Sequence, residues 1–271
     1  MFYKTRILDS VKGKGSGLGM GAALSDVKRV FAILSDIHGN RPALDAVMDE
    51  MAQLGIRRLM VLGDVIGYGP YPNDCLRAVQ KAEICLLGNH EAGVIGTLDQ
   101  QWFNDAAWAG VEWTRRKLTH ADRTLIGQWK ATGEHAGVQL AHGSLNPSDP
   151  FDYLLNPRSL KVHFAVQKAP VCFVGHTHVP EVWTEGSDLP VVIPASGAFK
   201  LLKDRKMAVN VGSVGLPREE DRRASWATYD PDSGEVCLRK TKYDIKEMIR
   251  TVRHLNLDPV LQDKILKDLG A

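Results

Sequence analysis

Phe31-Ala-Ile-Leu-Ser-Asp-Ile-His-Gly-Asn40 decides how the chain reads: four apolar residues end abruptly in acid, imidazole, glycine and amide. Such a run predicts a buried strand of a parallel sheet. Side-chain direction alternates along an extended chain, so Asp36 and His38 fall on one side at the strand's carboxyl end. That is the edge where open α/β sheets place ligands. Gly39 permits a sharp turn, and Asn40 before Arg41-Pro42 marks a helix start. Alone, the decapeptide fits an N-capping aspartate beside an incidental histidine equally well. One Asp and one His cannot hold a metal cluster, so recurrence downstream decides.

The pattern recurs four times. Ala43, Leu44, Val47, Met48, Met51 and Leu54 have helical spacing and predict an amphipathic helix ended by Gly55. Arg57 to Leu62 is a second apolar strand, closing in Gly63-Asp64. Two strands joined by a helix run parallel with a right-handed crossover, so Asp36 and Asp64 should converge. Ile84 to Leu87 closes in Gly88-Asn-His-Glu91, Val138 to Ala141 in His142-Gly-Ser144, and Val171 to Val174 in Gly175-His-Thr-His178.

Between these clusters, Val65 to Asn73 is too rich in Gly and Pro for regular structure and predicts a loop above the site. Tyr68 and Asn73 either line a pocket there or, for Tyr68, pack as a lid over the core. A helix follows over Asp74 to Lys81. From Trp102 to Lys130 the pattern is helical, and Trp102, Trp108 and Trp113 are expected in the core rather than stacked on a base. A further helix is expected near Arg158 to Gln167. Strands around Val191, Met207 to Val211, Ala224 to Tyr229 and Val236 to Arg239 predict a second sheet packed on the first. Two amphipathic helices finish the chain, carrying Ile245, Met248, Ile249 and Val252, then Leu261, Ile265 and Leu269; they cover the core or form a dimer surface.

At 271 residues the chain can bury a sizeable core as one large domain or two small ones. Apolar residues at 44% and charged residues at 24% are ordinary for a globular enzyme. A net charge of +2 implies no broad basic face, which disfavours nucleic acid as a partner. Cys75, Cys85, Cys172 and Cys237 form no C-x-x-C, so neither a disulfide framework nor a thiolate zinc site is expected, and buried free thiols suit a reducing, cytoplasmic setting. No apolar run reaches the length of about 18 residues that a membrane span needs. Residues 1–27 read as a flexible Gly-rich leader; a G-x-G-x-x-A match at Gly17, Gly19 and Ala22 has no strand before it, and the dinucleotide reading is weak.

In order, Asp36-Ile-His38, Gly63-Asp64, Gly88-Asn-His-Glu91, His142 and Gly175-His-Thr-His178 resemble the D-x-H, G-D, G-N-H-[DE], H and G-H-x-H signature of the calcineurin-like metallophosphoesterases. The resemblance covers roughly Lys28 onward. It implies an α/β fold (α+β by some schemes), a four-layer αββα sandwich, for a single domain over 28–271, in which the helical pattern places an insertion at about 100–131 and C-terminal helices at about 243–269. By the same resemblance Asp36, His38 and His178 hold one metal ion, Asn89, His142 and His176 a second, and Asp64 bridges them. Carboxylate, imidazole and amide donors without thiolate suit two divalent transition-metal ions, Mn first, with Fe, Ni or Zn as alternatives. A shared carboxylate keeps such ions about 3.5 to 4 Å apart and a bridging water near pKa 7, so that hydroxide attacks phosphorus in line. The family's matching imidazole makes His90 the group that reaches the scissile phosphate; the alternative is a histidine that supports the ligands, with Glu91 orienting a neighbour.

Two features narrow the activity. Gly63-Asp-Val-Ile-Gly-Tyr-Gly69 lacks the Arg of G-D-x-x-D-R-G, which weakens a protein phosphatase reading. Asn210-Val-Gly-Ser-Val-Gly-Leu-Pro-Arg218 looks like a loop of the small bacterial phosphodiesterase-like branch, with some similarity to manganese-type diadenosine tetraphosphate hydrolases. Arg218 then supplies a phosphate contact or pairs with Glu219, Glu220 or Asp221. The expected function is dinuclear-metal hydrolysis of a small phosphodiester or nucleotide-type substrate, with Asn40, Tyr68, Asn73 and Arg218 as candidate substrate contacts. A dinucleoside polyphosphate hydrolase is the close alternative. A non-catalytic interaction scaffold of the same fold is the remote one, a DNA-repair-type nuclease is disfavoured, and a homo-oligomer stays open.

Overall fold

The computed structural model describes residues 29–194 and 196–271; the leader expected over 1–27 lies outside them. In chain order the elements are β1 (Phe31–Leu34), α1 (Arg41–Gln53), β2 (Arg58–Val61), α2 (Pro72–Val79), β3 (Ile84–Cys85), α3 (Asn89–Ile95), α4 (Asp105–Lys117), α5 (His120–Ile126), β4 (Thr132–His135), β5 (Val138–Ala141), α6 (Pro157–Val166), β6 (Val171–Val174), β7 (Pro180–Thr184), β8 (Ala198–Lys200), β9 (Met207–Val211), β10 (Ala224–Asp230), β11 (Glu235–Thr241), α7 (Ile245–His254) and α8 (Pro259–Asp268).

Strand β1 is central because both its faces are dry. Phe31 and Ile33 point into the layer between two sheets, while Ala32 and Leu34 point at the helices outside. One sheet has the order β3-β2-β1-β10-β11-β8 and the other β4-β5-β6-β9-β7. Their facing sides bury Met60, Leu62, Phe173, Val209 and Val236 among others. Helices α1 and α2 cover the first sheet, and Leu160 and Phe164 of α6 cover the second, giving the αββα layering expected. Asn40 starts α1 as its N-cap, its Oδ1 accepting from Ala43 N at 3.1 Å, with Pro42 in the first turn.

Several expectations need correction. A second sheet does pack on the first, and β9 belongs to it, but β10, β11 and β8 complete the first sheet instead, and β1 pairs parallel with β2 but antiparallel with β10, Phe31 opposite Tyr229. That sheet is mixed, not parallel. No strand forms at Val191, whereas β4, β7 and β8 were not anticipated. All three lie at sheet edges, where a strand such as Thr-Gly-Glu-His is fixed by its neighbour's backbone and shows no apolar pattern. Helix α2 starts at Pro72, and the third strand shrinks to two residues.

Trp113 is buried and Trp108 packs on the core, but Trp102 is 60% exposed. It sits in a 3-10 turn, Gln100–Trp102, before α4 begins, so the helical spacing assumed for it does not apply. Cys75 and Cys172 are buried, while Cys85 and Cys237 are only partly so. The terminal helices bury Met248, Val252, Leu261, Ile265 and Leu269 against Tyr68, Ala107, Trp113 and Leu216, which assigns that apolar face to the chain itself. Among the described residues no helix is long and apolar enough to cross a membrane.

Trp226 on β10 is fully buried, and its indole donates to Thr241 Oγ1 at 2.7 Å, which in turn donates to Glu50 Oε2 on α1 at 2.6 Å. Trp226→Ala should cost about 3 to 5 kcal/mol, read as a lowered urea midpoint, and Trp226→Phe should recover part of that loss.

Candidate metal centre

The polar clusters that end β1, β2, β5 and β6, with the start of α3, meet at one edge of the two sheets. Their backbone is unusual: Asp36, His38, Asp64, His176 and His178 have φ of 52°, 48°, 51°, 69° and 65°, and among the described residues only Ala136 joins them as a non-glycine at positive φ. Left-handed backbone at a bulky residue persists only where its surroundings over-determine it. Here they do. Asp36 N donates to Gly63 O, His38 N to Asp64 O and Gly39 N to Val65 O, so the turns after β1 and β2 are bonded to each other. Glycine is needed where those turns close: a Cβ on Gly175 would lie 1.9 Å from Ser35 Oγ, and one on Gly88 2.0 Å from Asp64 Oδ1.

The loop after β9 seals the arrangement from the other side. Asn210 donates to Gly175 O at 2.6 Å and to Thr177 Oγ1 at 3.0 Å, fixing the turn that carries His176 and His178. Ser213 Oγ and Gly215 N both donate to Asp36 O, at 2.7 and 3.0 Å. Sequence reasoning named this loop without seeing that its polar atoms brace the donors. Glu91, expected to orient His90 or a neighbouring ligand, accepts from the amides of Gly88, Asp64 and Ile66 and so clamps the turn of Asp64, not the His90 ring. Burial and the nearby Asp64 charge push its carboxyl up to about 8 although these amides oppose the shift.

Three histidines have their Nδ1 atoms on backbone carbonyls: His38 on Ile66 O at 3.2 Å, His142 on Leu62 O at 2.9 Å and His178 on Leu216 O at 2.6 Å. Each carbonyl assigns the proton to Nδ1 and leaves an Nε2 lone pair facing inward. Yet His38 Nε2 and His178 Nε2 stand 3.1 Å apart. Two lone pairs attract at that distance only with positive charge between them. Asp36 Oδ1 lies 3.2 Å from His178 Nε2 and is buried without a hydrogen-bond partner among the described residues. Asp64 Oδ2 reaches both sides, 3.6 Å from His38 Nε2 and 3.4 Å from His142 Nε2. Beyond it, His142 Nε2 is 3.1 Å from His176 Nδ1 and 3.2 Å from Asn89 Oδ1.

Electrostatics agree. Burial alone would raise Asp36 and Asp64, but the surrounding imidazoles, His178 and His142 foremost, hold both carboxyls below their usual range. Burial pushes His176 down to about 3 and His90 to about 4, leaving neutral rings, while Asp64 overrides burial at His142 and lifts it to about 9. The centre thus draws positive charge, for which a proton and a metal ion compete. A proton serves two atoms; seven converging oxygen and nitrogen donors fit divalent cations. Groups of Asp36, His38 and His178, and of Asp64, His142 and His176, have donor atoms within 4.8 Å of one another, and so do His38, Asp64 and His90.

A cavity of about 180 Å³ opens onto this cluster, lined by Asp64, Asn89, His90, His176 and His178 below and by Tyr68, Tyr153 and Arg218 above. Arg218 forms no ion pair with Glu219, Glu220 or Asp221: Glu219 pairs with Lys240, Asp221 with Arg223, and Glu220 has no ion pair among the described residues. Tyr153 stacks on His176 with ring centres 3.9 Å apart. Two candidate substrate contacts lie elsewhere. Asn40 caps α1 and donates to Gly215 O at 2.8 Å, and Asn73 on α2 donates to Lys117 O at 3.3 Å; both short amides serve the backbone. Sequence reading missed Tyr153 and Lys264 of α8 as cavity residues, because nothing in their local pattern places them there.

Comparison with known proteins agrees with this geometry. The profile of the calcineurin-like phosphoesterase family matches residues 29–180. An uncharacterized protein of Methanocaldococcus jannaschii is 30% identical over 226 residues, 82% of this chain and 90% of its own length. The phosphodiesterase YfcE of Escherichia coli K12 is 48% identical over 157 residues, 57% of this chain and 71% of its own. Among solved structures, a metallophosphoesterase from Sphaerobacter thermophilus superposes with a TM-score of 0.77 at 30% identity, covering 89% of this chain and 99% of that one. Since the matched stretch exceeds half the chain and contains the turns after β1, β2, β5 and β6, this protein belongs to the calcineurin-like phosphoesterase family and is a metal-dependent phosphoester hydrolase.

Proposed function

We propose that the centre holds two divalent cations and that the protein hydrolyses a small phosphodiester. Asp36, His38 and His178 would hold one ion and Asn89, His142 and His176 the other, with Asp64 shared. The observation that carries this reading is the pair of inward Nε2 atoms of His38 and His178, 3.1 Å apart with both Nδ1 protons already given to carbonyls. When bound, such a pair of ions supplies Lewis-acid polarisation of a phosphoryl oxygen and lowers the pKa of water.

The chain's own groups do the remainder. His90 lines the cavity, and its buried Nδ1 has no hydrogen-bond partner among the described residues, so the neutral ring keeps its single N–H for hydrogen bonding to a phosphoryl oxygen. Arg218 at the opposite wall meets the charge of the phosphate. Tyr68, 3% exposed, and Tyr153 narrow the entry and exclude water from the reacting atoms. The absence of a second arginine clamp from the Gly63 to Gly69 turn, and the name of the Escherichia coli relative, favour a diester over a monoester.

Asp64→Asn should abolish turnover and lower metal content together, measured by elemental analysis of the purified variant. His90→Ala should keep metal content at the wild-type level while kcat falls about 10²-fold; loss of metal from a folded His90→Ala protein would make His90 a ligand instead. Chelation should lower Tm and added Mn²⁺ restore it, as expected for an ion that binds the folded state alone. Bis(p-nitrophenyl) phosphate should be the better substrate than p-nitrophenyl phosphate by kcat/KM, and the reverse order would sink the diester reading.

A further inference from the structure

Of the six tryptophans, five join the hydrophobic clusters and one, Trp102, does not. It is 60% exposed, forgoing the burial free energy the others gain, and it stands at the mouth of the cavity that opens onto the metal centre. Its position is fixed. Trp102 N donates to Asp99 O at 3.1 Å and Phe103 N to Gln100 O at 2.9 Å, and the next ring along, Phe103, lies 5.8 Å from that of His90. The same mouth carries Arg218, with no carboxylate partner among the described residues, and Lys264, whose ammonium pairs with Asp268 and lies 5.7 Å from the centre of the Tyr68 ring. Asn104 is there too: its Oδ1 caps α4 at Ala107 N, and its amide nitrogen makes no hydrogen bond among the described residues.

A cavity of about 180 Å³ is small beside ordinary ligand sites of about 300 to 1,000 Å³. It takes a phosphate and the atoms next to it, and the remainder of the substrate must lie across the rim. What the rim offers is a flat indole, a guanidinium with no carboxylate partner among the described residues and an amide donor. We propose that this rim recognises a nucleotide, with the base stacked on Trp102, its edge hydrogen-bonded by Asn104, and the phosphate between Arg218 and the metal centre. This names the substrate class and rests on the phosphodiesterase reading. An aromatic face fits any base, so the site selects a nucleoside over a bare sugar without selecting among bases.

The test is equilibrium binding of AMP and of ribose 5-phosphate to the Mn²⁺-loaded protein, since the two differ only in the base. AMP should bind at least about tenfold more tightly, Trp102→Ala should erase that advantage, and Trp102→Phe should keep most of it. Arg218→Gln should weaken both ligands alike. Equal affinities in the wild type, or an AMP advantage that survives Trp102→Ala, overturn the proposal. A protein that prefers AMP but leaves bis(p-nitrophenyl) phosphate intact would support the rim and sink the phosphodiesterase reading; cleavage of that diester with no AMP preference would do the reverse.

Discussion

Two carboxylates held away from water, Asp36 and Asp64, set the conditions for the rest of the molecule. An ionised oxygen in a dry interior is tolerated only with opposite charge beside it. The imidazoles gathered round them answer that need in part, and His38, His142 and His178 are turned inward because the other nitrogen of each is tied to a carbonyl. To bring so many donors within reach, five residues accept left-handed backbone, at a cost of about 1 to 3 kcal/mol apiece. Two packed sheets and their helices provide the rigidity that holds those turns. The fold is in this sense the support for a concentrated local strain.

The same logic explains the division of labour among residues that touch neither carboxylate oxygen nor cavity. Glu91 gathers two amides of the Asp64 turn and that of Gly88, Asn210 holds the Gly175 turn, and Ser213 with Gly215 grips the carbonyl of Asp36. Donor and brace come from stretches far apart in sequence, so the centre's precision depends on long-range closure rather than on any single loop.

What the sequence revealed follows from how local each signal is. The strand ends were legible because an apolar run that stops in Asp, His or Asn has no cheaper explanation once it recurs, and the layering followed from the family resemblance. Sheet membership was not legible: the pairing of β1 with β10 joins residues some two hundred positions apart, and no local pattern encodes it. Edge strands β4, β7 and β8 carry little apolar alternation and were missed. Trp102 was misplaced because helical spacing was extended through a turn that precedes α4. Asn40 and Asn73 looked like substrate contacts because an amide near a site is chemically apt, but caps and carbonyls compete for the same group.

The pairing of β1 with β10 bears also on how the protein forms. During synthesis β1, β2 and β3 emerge early, yet the far edge of β1 has no neighbour until residues 224–230 appear. Contacts of such sequence separation close slowly, and an unpaired apolar edge is open to other chains meanwhile. The donors at Asp36 and His38 likewise wait for the braces at Ser213 and Gly215. Half-made chains therefore hold no finished centre, and the cluster of donors is complete only after closure of the sheet.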